Sequence, residues 1–214
     1  NRQIRRGYGF VASRYRPGDR IFLFGYSRGA YAVRSLAGMI DKVGLLKAQH
    51  ANVRNIRQIY RIYQQGAPNG AQAAFTAQHC HTDIPIEAVG VWDTVKALGL
   101  RLPILWRWTE LPHRFHNHHL GPHVRHGFHA LARNETRVAF APVMWKTHPD
   151  WPQTGEPVWF RGAHGDIGGQ LGGRLVARPL ANIPLVWMLE KAESCGLTLP
   201  EGWHDRFPCD ADAP

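Results

Sequence analysis

Three side chains in this sequence have the types needed for hydrolytic chemistry, and each closes a short apolar run. Ser27 follows "IFLFGY", Asp93 follows "IEAVGVW" and His164 follows "EPVWFRGA". A serine hydroxyl is a weak nucleophile until a neighbouring base takes its proton, and an imidazole does this best when a carboxylate orients it. In that order the three residues read as nucleophile, orienting acid and general base. Ser27 lies between Gly25 and Gly29 in "GYSRG". This is the G-x-S-x-G spacing of a strand that turns sharply into a helix and lifts the hydroxyl clear of a sheet. On this reading both glycines keep side chains out of the turn.

A helix starting at Arg28 aims its unpaired N–H groups and the positive end of its dipole at the same point. The Arg28 backbone N–H is therefore a candidate oxyanion donor. Each candidate also has a plainer reading. Ser27 could simply cap that helix, and Asp93 in "WDTV" could cap a helix or turn. Asp166 competes with Asp93 as the acid. It stands only two residues from His164, an awkward spacing for orienting that imidazole, and it could instead cap the turn "DIGGQ".

Seven histidines between His113 and His129 raise the question of a metal. "HNHH" supplies His116, His118 and His119, and on a helix His119, His123 and His126 would share a face. Pro122 interrupts any such helix, and no carboxylate or cysteine stands nearby at zinc spacing. The expectation is a histidine-rich surface loop with no metal, a bound metal being the alternative.

The elements that must position these residues follow from periodicity. Ile4, Tyr8, Val11 and Tyr15 fall on one face of a helix, which "RPGD" stops. "RIFLF" reads as a strand buried on both faces of a parallel sheet. From Ala30 to about Ile40 the pattern is helical again, with Val33, Leu36, Ala37 and Ile40 on one side. A further helix is expected over Ala51 to Gln64 and is broken by "GAPNGAQ". A strand runs from Ile86 to Trp92. A proline- and histidine-rich excursion follows at about 101–122, then a helix over "HVRHGFHALARNE". The third strand is "EPVWF", and "ANIPLVWMLEKAESCG" is a closing helix with Gly196 as its stop. Helix, strand, sharp turn, helix is the order of an α/β unit. The expected fold is α/β, a mostly parallel sheet flanked by helices and α/β-hydrolase-like. Three strands are few for such a sheet, so N-terminal strands are expected to be missing from a partial domain spanning residues 1–214.

The 214 residues suffice for a full core, and 44% hydrophobic with 20% charged residues suits a globular protein rather than a disordered one. No apolar run approaches the roughly 18–20 residues of a membrane span. The formal charge is +10, with basic residues spread from Arg2 to Arg206 and a short cluster at Arg2, Arg5 and Arg6. Without a zinc-finger spacing, an RNP motif or a basic heptad, scattered solvated arginines are the default and no nucleic-acid partner is expected. Attraction to an anionic membrane surface stays open. Cys80, Cys195 and Cys209 are far apart and odd in number, which points to reduced cysteines acting as small hydrophobes.

With these residues in place, the chain resembles the DUF2235 family of α/β-hydrolases, which includes the type VI secretion lipase effectors called Tle1. Four ordered segments carry the resemblance: "RPGDRIFLFGYSRGAYAVRSLAGMIDKVGLL", "VGVWDTVKALG", "HALARNETRVAFAPVMW" (as a linker helix) and "VWFRGAHGDIGGQ". It implies Ser27 as nucleophile, Asp93 as acid and His164 as base, with no cofactor. It also implies an earlier strand, bearing an Asp-Gly-Thr motif, whose loop completes the oxyanion hole. Gln170, Lys96 and the pair Arg133–Asn134 depart from the family pattern, which bears on pocket shape. The implied activity is that of a serine esterase, a phospholipase A-type effector acting on a lipid or other ester. The alternative is a catalytically silent, hydrolase-like binding or targeting module. Implied partners are a peripheral membrane contact, a secretion-system component or an immunity protein. The implied location is the cytoplasm of the producing cell, with export by a type VI system and no transmembrane segment.

Overall fold

The computed structural model describes residues 2–66, 68–95, 120–145 and 155–212. The strands β1 (Ile21–Tyr26), β4 (Ile86–Trp92), β5 (Val124–Ala132) and β6 (Gly155–Phe160) form one sheet in the order β1-β4-β5-β6. Every neighbouring pair is parallel. A small antiparallel ribbon pairs β2 (Leu45–Leu46) with β3 (Cys80–His81). One face of the sheet is covered by α2 (Arg28–Val43), with α1 (Arg2–Arg14) and α3 (Val53–Gln65) packed outside it. The other face carries the short α5 (His164–Ile167) and the long α6 (Arg178–Ser194). This is the expected α/β architecture.

Strand β4 shows why the sheet reads as continuous apolar sequence. Val89 and Val91 belong to the core beneath α1, α2 and α3, while Ala88 belongs to the core with Phe128, Ala130, Ile167 and Met188. Alternate residues face opposite layers and both layers are dry, so no polar alternation survives. A β-carbon on Gly90 would lie 2.6 Å from the Met188 sulfur and 2.7 Å from the Phe24 ring, so the bare glycine leaves room for both side chains against the strand. Helix α2 is similarly enclosed, with eleven of its 16 residues buried. Outside it, the buried Tyr8 hydroxyl donates to the Gly44 carbonyl and accepts the Leu46 N–H, both at 2.9 Å, which fastens α1 to the far end of α2.

Four expectations need correction or qualification. "HVRHGFHALARNE" is not a helix: Val124–Ala132 is strand β5, between β4 and β6. Its alanines, leucine and arginine favour a helix locally, but a strand with both edges paired and both faces buried overrides that weak preference. The segment "GAPNGAQ" breaks the chain only briefly, since α4 (Gly70–His79) begins within it. A β-carbon at Gly29 would meet no atom within 4 Å, so the steric need in the elbow belongs to Gly25 alone. The excursion at about 101–122 lies outside the described residues up to residue 119, as does Lys96. The three cysteines are free, Cys80 and Cys195 buried and Cys209 exposed.

His129 is the one histidine of β5 with no solvent exposure. Its Nε2 accepts the Thr94 N–H at 3.3 Å, which ties the turn after β4 to the neighbouring strand. Burial, with the nearby Arg34 cation, pushes its pKa down to about 3. The folded state therefore resists protonation that the unfolded chain accepts from its ordinary value of 6.5 downward. Stability is lost as pH falls from 6.5 towards 3. His129→Gln keeps an acceptor but does not titrate, so urea midpoints of wild type should decline more steeply than those of the variant across that range. Parallel declines would remove His129 from the account. For the elbow, Gly25→Ala sets a β-carbon 2.6–2.7 Å from backbone atoms of Gly29 and Ala30. It should cost roughly 1–3 kcal/mol in chemical denaturation, whereas Gly29→Ala should cost little.

Candidate active site

The site lies beyond the carboxyl ends of β1, β4 and β6, where open α/β sheets collect functional groups. Strand β1 is short and apolar and ends at Tyr26; Ser27 then turns the chain directly into α2. Ser27 has φ 56° and ψ −120°, a strained conformation for a residue with a side chain. A β-carbon on Gly25 would strike the first turn of α2, so only glycine lets strand and helix approach this closely. The Ser27 N–H donates to Trp92 O at 3.0 Å, and its carbonyl accepts the Tyr31 N–H at 3.3 Å. The hydroxyl is left free of helix capping. Arg28 is the first helical residue, so its N–H belongs to the turn that has no intrahelical acceptor.

Asp93 follows β4 directly, with φ 40° and no solvent exposure. Its backbone N–H donates to Ala130 O at 2.8 Å, and its Oδ1 accepts the Ala132 N–H at 3.3 Å. Strand β5 therefore holds this carboxylate from both its backbone and its side chain. Oδ2 faces His164 Nδ1 at 2.6 Å. On the other side of the ring, His164 Nε2 lies 2.9 Å from Ser27 Oγ. With the proton on Nδ1, the ring donates to Asp93 and accepts from the serine hydroxyl. The three candidates thus converge on one imidazole, itself only 5% exposed.

Asp166 is placed differently. Its Oδ2 accepts the Ala163 N–H at 2.7 Å, which staples the loop that carries His164. The glycines of that loop have distinct uses. Gly162 has φ 115°, a conformation suited to glycine, and a β-carbon on Gly168 would enter the Tyr26 ring. Among the described residues no cluster of three or more histidine, cysteine or acidic side chains could hold a metal ion. His116, His118 and His119 lie outside them. His123 is engaged by Asp41 at 2.8 Å and Asp83 at 3.3 Å, while His126 and His129 are strand residues of β5.

Several residues that sequence reasoning passed over hold His164 in place. Its ring packs between Tyr26 and Phe140, with ring centroids 4.7 Å away in each case. The Tyr26 hydroxyl donates to His164 O at 3.0 Å. Burial and the Asp93 carboxylate push the Tyr26 phenol up to about 12, so it stays a neutral donor. The His164 N–H donates to Glu135 Oε2 at 3.2 Å, and Arg137 clamps Glu135 at 2.7 and 2.8 Å. Hydrogen bonds from Arg137 pull the Glu135 carboxyl down to about 2. Asn134, noted above only as a departure, accepts the Gly162 N–H at 2.9 Å and so links the exits of β5 and β6. Gln170, another departure, donates its N–H to Gly165 O at 2.7 Å. The sequence offered a signal for Tyr26, which is the "Y" of the elbow. Glu135, Arg137 and Phe140 lie in "HALARNETRVAFAPVMW", read as a linker helix; the segment is instead the end of β5, a loop and a single 3-10 turn at Val138–Phe140, so the helical reading hid their contacts.

Residues 1–191 match the model of the type VI secretion phospholipase effector Tle1-like catalytic domain. An uncharacterized protein of Saccharomyces cerevisiae is 31% identical over 155 residues, covering 68% of this chain and 21% of its own length. The chain therefore spans about a fifth of that relative. The Tle1 effector, solved bound to the VgrG spike of the type VI secretion system, is 22% identical over 77% of this chain and 28% of its own, with a TM-score of 0.37. The family match covers most of the sequence, and this chain belongs to the type VI secretion phospholipase effector Tle1-like catalytic domain family.

Proposed function

We propose that this domain is a serine esterase that cleaves acyl esters of lipids, in the manner of a phospholipase A. The observation that supports it most directly is the bridging imidazole, 2.6 Å from Asp93 and 2.9 Å from Ser27. In the proposed cycle, Ser27 Oγ attacks the ester carbonyl carbon while His164 Nε2 takes the hydroxyl proton. Asp93 stabilises the imidazolium that forms and keeps the ring in the required tautomer. Negative charge gathers on the former carbonyl oxygen, which faces the Arg28 N–H and the positive end of α2. Collapse breaks the ester C–O bond, and His164 returns the proton to the departing alcohol. A water molecule then repeats the sequence on the acyl-serine, releasing the fatty acid and restoring Ser27.

In this reading Asp166, Glu135, Tyr26 and Phe140 position the base rather than react. Delivery by a secretion-system spike, as with the solved Tle1 effector, and neutralisation by an immunity protein belong to the same proposal. The test is direct. Ser27→Ala should abolish ester turnover and labelling by a fluorophosphonate probe in the full-length protein. Asp93→Asn should lower kcat by about 10⁴ through the wrong tautomer, while Asp166→Asn, which keeps an acceptor for the Ala163 N–H, should leave kcat close to wild type. Undiminished labelling of Ser27→Ala would sink the assignment. A collapse in Asp166→Asn with an active Asp93→Asn would move the acid to Asp166.

A further inference from the structure

The arginines that look scattered in sequence are gathered in space. Arg2, Arg5 and Arg6 of α1 and Arg57 of α3 line one groove of about 420 Å³ between the two helices. The floor is Gly9 against Ile56: a β-carbon on Gly9 would lie 2.9 Å from the Ile56 Cδ1, so the bare glycine gives that side chain room to pack. Arg54 and Arg61 continue the row along the exposed side of α3. Neither helix contains an aspartate or glutamate. Among the described residues, no ion pair involves any of these six guanidinium groups; those that occur use other arginines, lysine or histidine. Arg5 leans over the Tyr60 ring at 5.9 Å, and its buried Nε has no acceptor among the described residues.

Large apolar side chains stand in solvent along the same two helices. Phe10 is 60% exposed and Val53 is 65% exposed. The Arg14 guanidinium lies 4.1 Å from the centre of the Phe10 ring. Cationic groups with exposed apolar side chains beside them match a lipid surface, where the arginines meet phosphates and the apolar groups enter the headgroup layer. A soluble polyanion would use the charge and leave Phe10 and Val53 without a purpose.

The packing also orients this face. Gly7 sits beside Leu36 in the middle of α2, and Tyr8 reaches Gly44 beyond the end of α2. Helix α1 leads into β1 and α2 leaves it on the same face of the sheet, so α1 runs in the same sense as α2. Its arginine-bearing N-terminus lies towards the end of α2 that starts at Ser27. Helix α3 runs oppositely, with Ile56 beside Gly9 and Tyr60 beside Arg5.

We infer that the arginine groove between α1 and α3 is the surface by which this domain docks on anionic phospholipid bilayers. The choice of a bilayer over another anionic partner rests on the exposed Phe10 and Val53 and on the esterase reading; the groove itself does not depend on that reading. Binding should be measured by co-sedimentation with vesicles of phosphatidylcholine alone or mixed with phosphatidylglycerol, using the full-length protein. Anionic vesicles should bind it far more tightly than neutral ones, and less so as salt rises. Each arginine removed should weaken binding by about fivefold, so Arg6→Gln with Arg57→Gln together should weaken it by about 25-fold. The pair replaced by lysine should retain most of the binding. Phe10→Ser should cause a further loss that persists at high salt.

A water-soluble short-chain ester read on the same proteins separates this inference from the esterase assignment. The double glutamine variant should keep that turnover, and Ser27→Ala should lose it while still sedimenting with vesicles. Equal binding to neutral and anionic vesicles, or full binding by the double variant, overturns the groove. Tight binding to heparin or duplex DNA without binding to vesicles overturns the bilayer as the partner.

Discussion

The His164 imidazole depends on groups delivered by two other strands, and the alignment of strand exits is the constraint behind the whole arrangement. Each exit is hydrogen-bonded to its neighbour beyond the regular ladder. Ser27 N–H reaches Trp92 O, Asp93 N–H reaches Ala130 O, and Arg133 N–H reaches Phe160 O. The parallel register thus extends one residue further, into the segment where the chemistry would occur. Each step is an ordinary backbone bond of 2.8–3.0 Å. Together they fix Ser27 and Asp93 relative to the loop that carries His164, without relying on any flexible side chain.

That alignment makes backbone strain tolerable. Ser27 and Asp93 have positive φ, which costs of order 1–3 kcal/mol at a non-glycine residue. Both are held by backbone bonds to the next strand, and Asp93 is also held through its Oδ1 to Ala132. Strain alone does not mark a site. Asp83 has φ 55° as well, on an exposed turn where its side chain meets His123. What separates the cases is burial and convergence: Asp93 has no exposed surface and meets an imidazole that also reaches the Ser27 hydroxyl, whereas the Asp83 side chain stands in solvent.

Much of this was legible in the sequence because the relevant signals are local. A five-residue elbow, two short runs of apolar residues and an acid or base at the end of each are contiguous patterns, and β4 has the boundaries that its composition predicts, Ile86–Trp92. Strand β5 was not legible. A central strand is specified by neighbours on both sides, and those neighbours are far away in sequence, so its alanines and histidines read as helical. That error also hid the role of His129, which looks like one of a histidine-rich group until β5 places it in the core. The clamp of Glu135 and Arg137 on the His164 loop escaped for the same reason, since it joins residues 29 positions apart through one backbone N–H. The arginine groove was half legible: Arg2, Arg5 and Arg6 stood out, but their union with Arg57 needed the packing of α3 on α1.

The layering of the helices bears on that groove. Helix α2 is enclosed, so it can carry little charge, and its buried Arg34 is spent on the carbonyls of Val143 and Met144. Helices α1 and α3 form the outer layer and take the solvent-facing charge. Folding gains nothing from making all of it positive. Arg2 with Arg6, and Arg57 with Arg61, are like charges four residues apart on a helix, a spacing that destabilises by a few tenths of a kcal/mol per pair. Alternating acids and bases would satisfy the same surface and stabilise both helices. A self-repelling row of arginines around a groove therefore works against the free protein and in favour of a bound anion. The repulsion falls away when phosphates enter the groove, so the term that weakens the isolated domain strengthens the docked one.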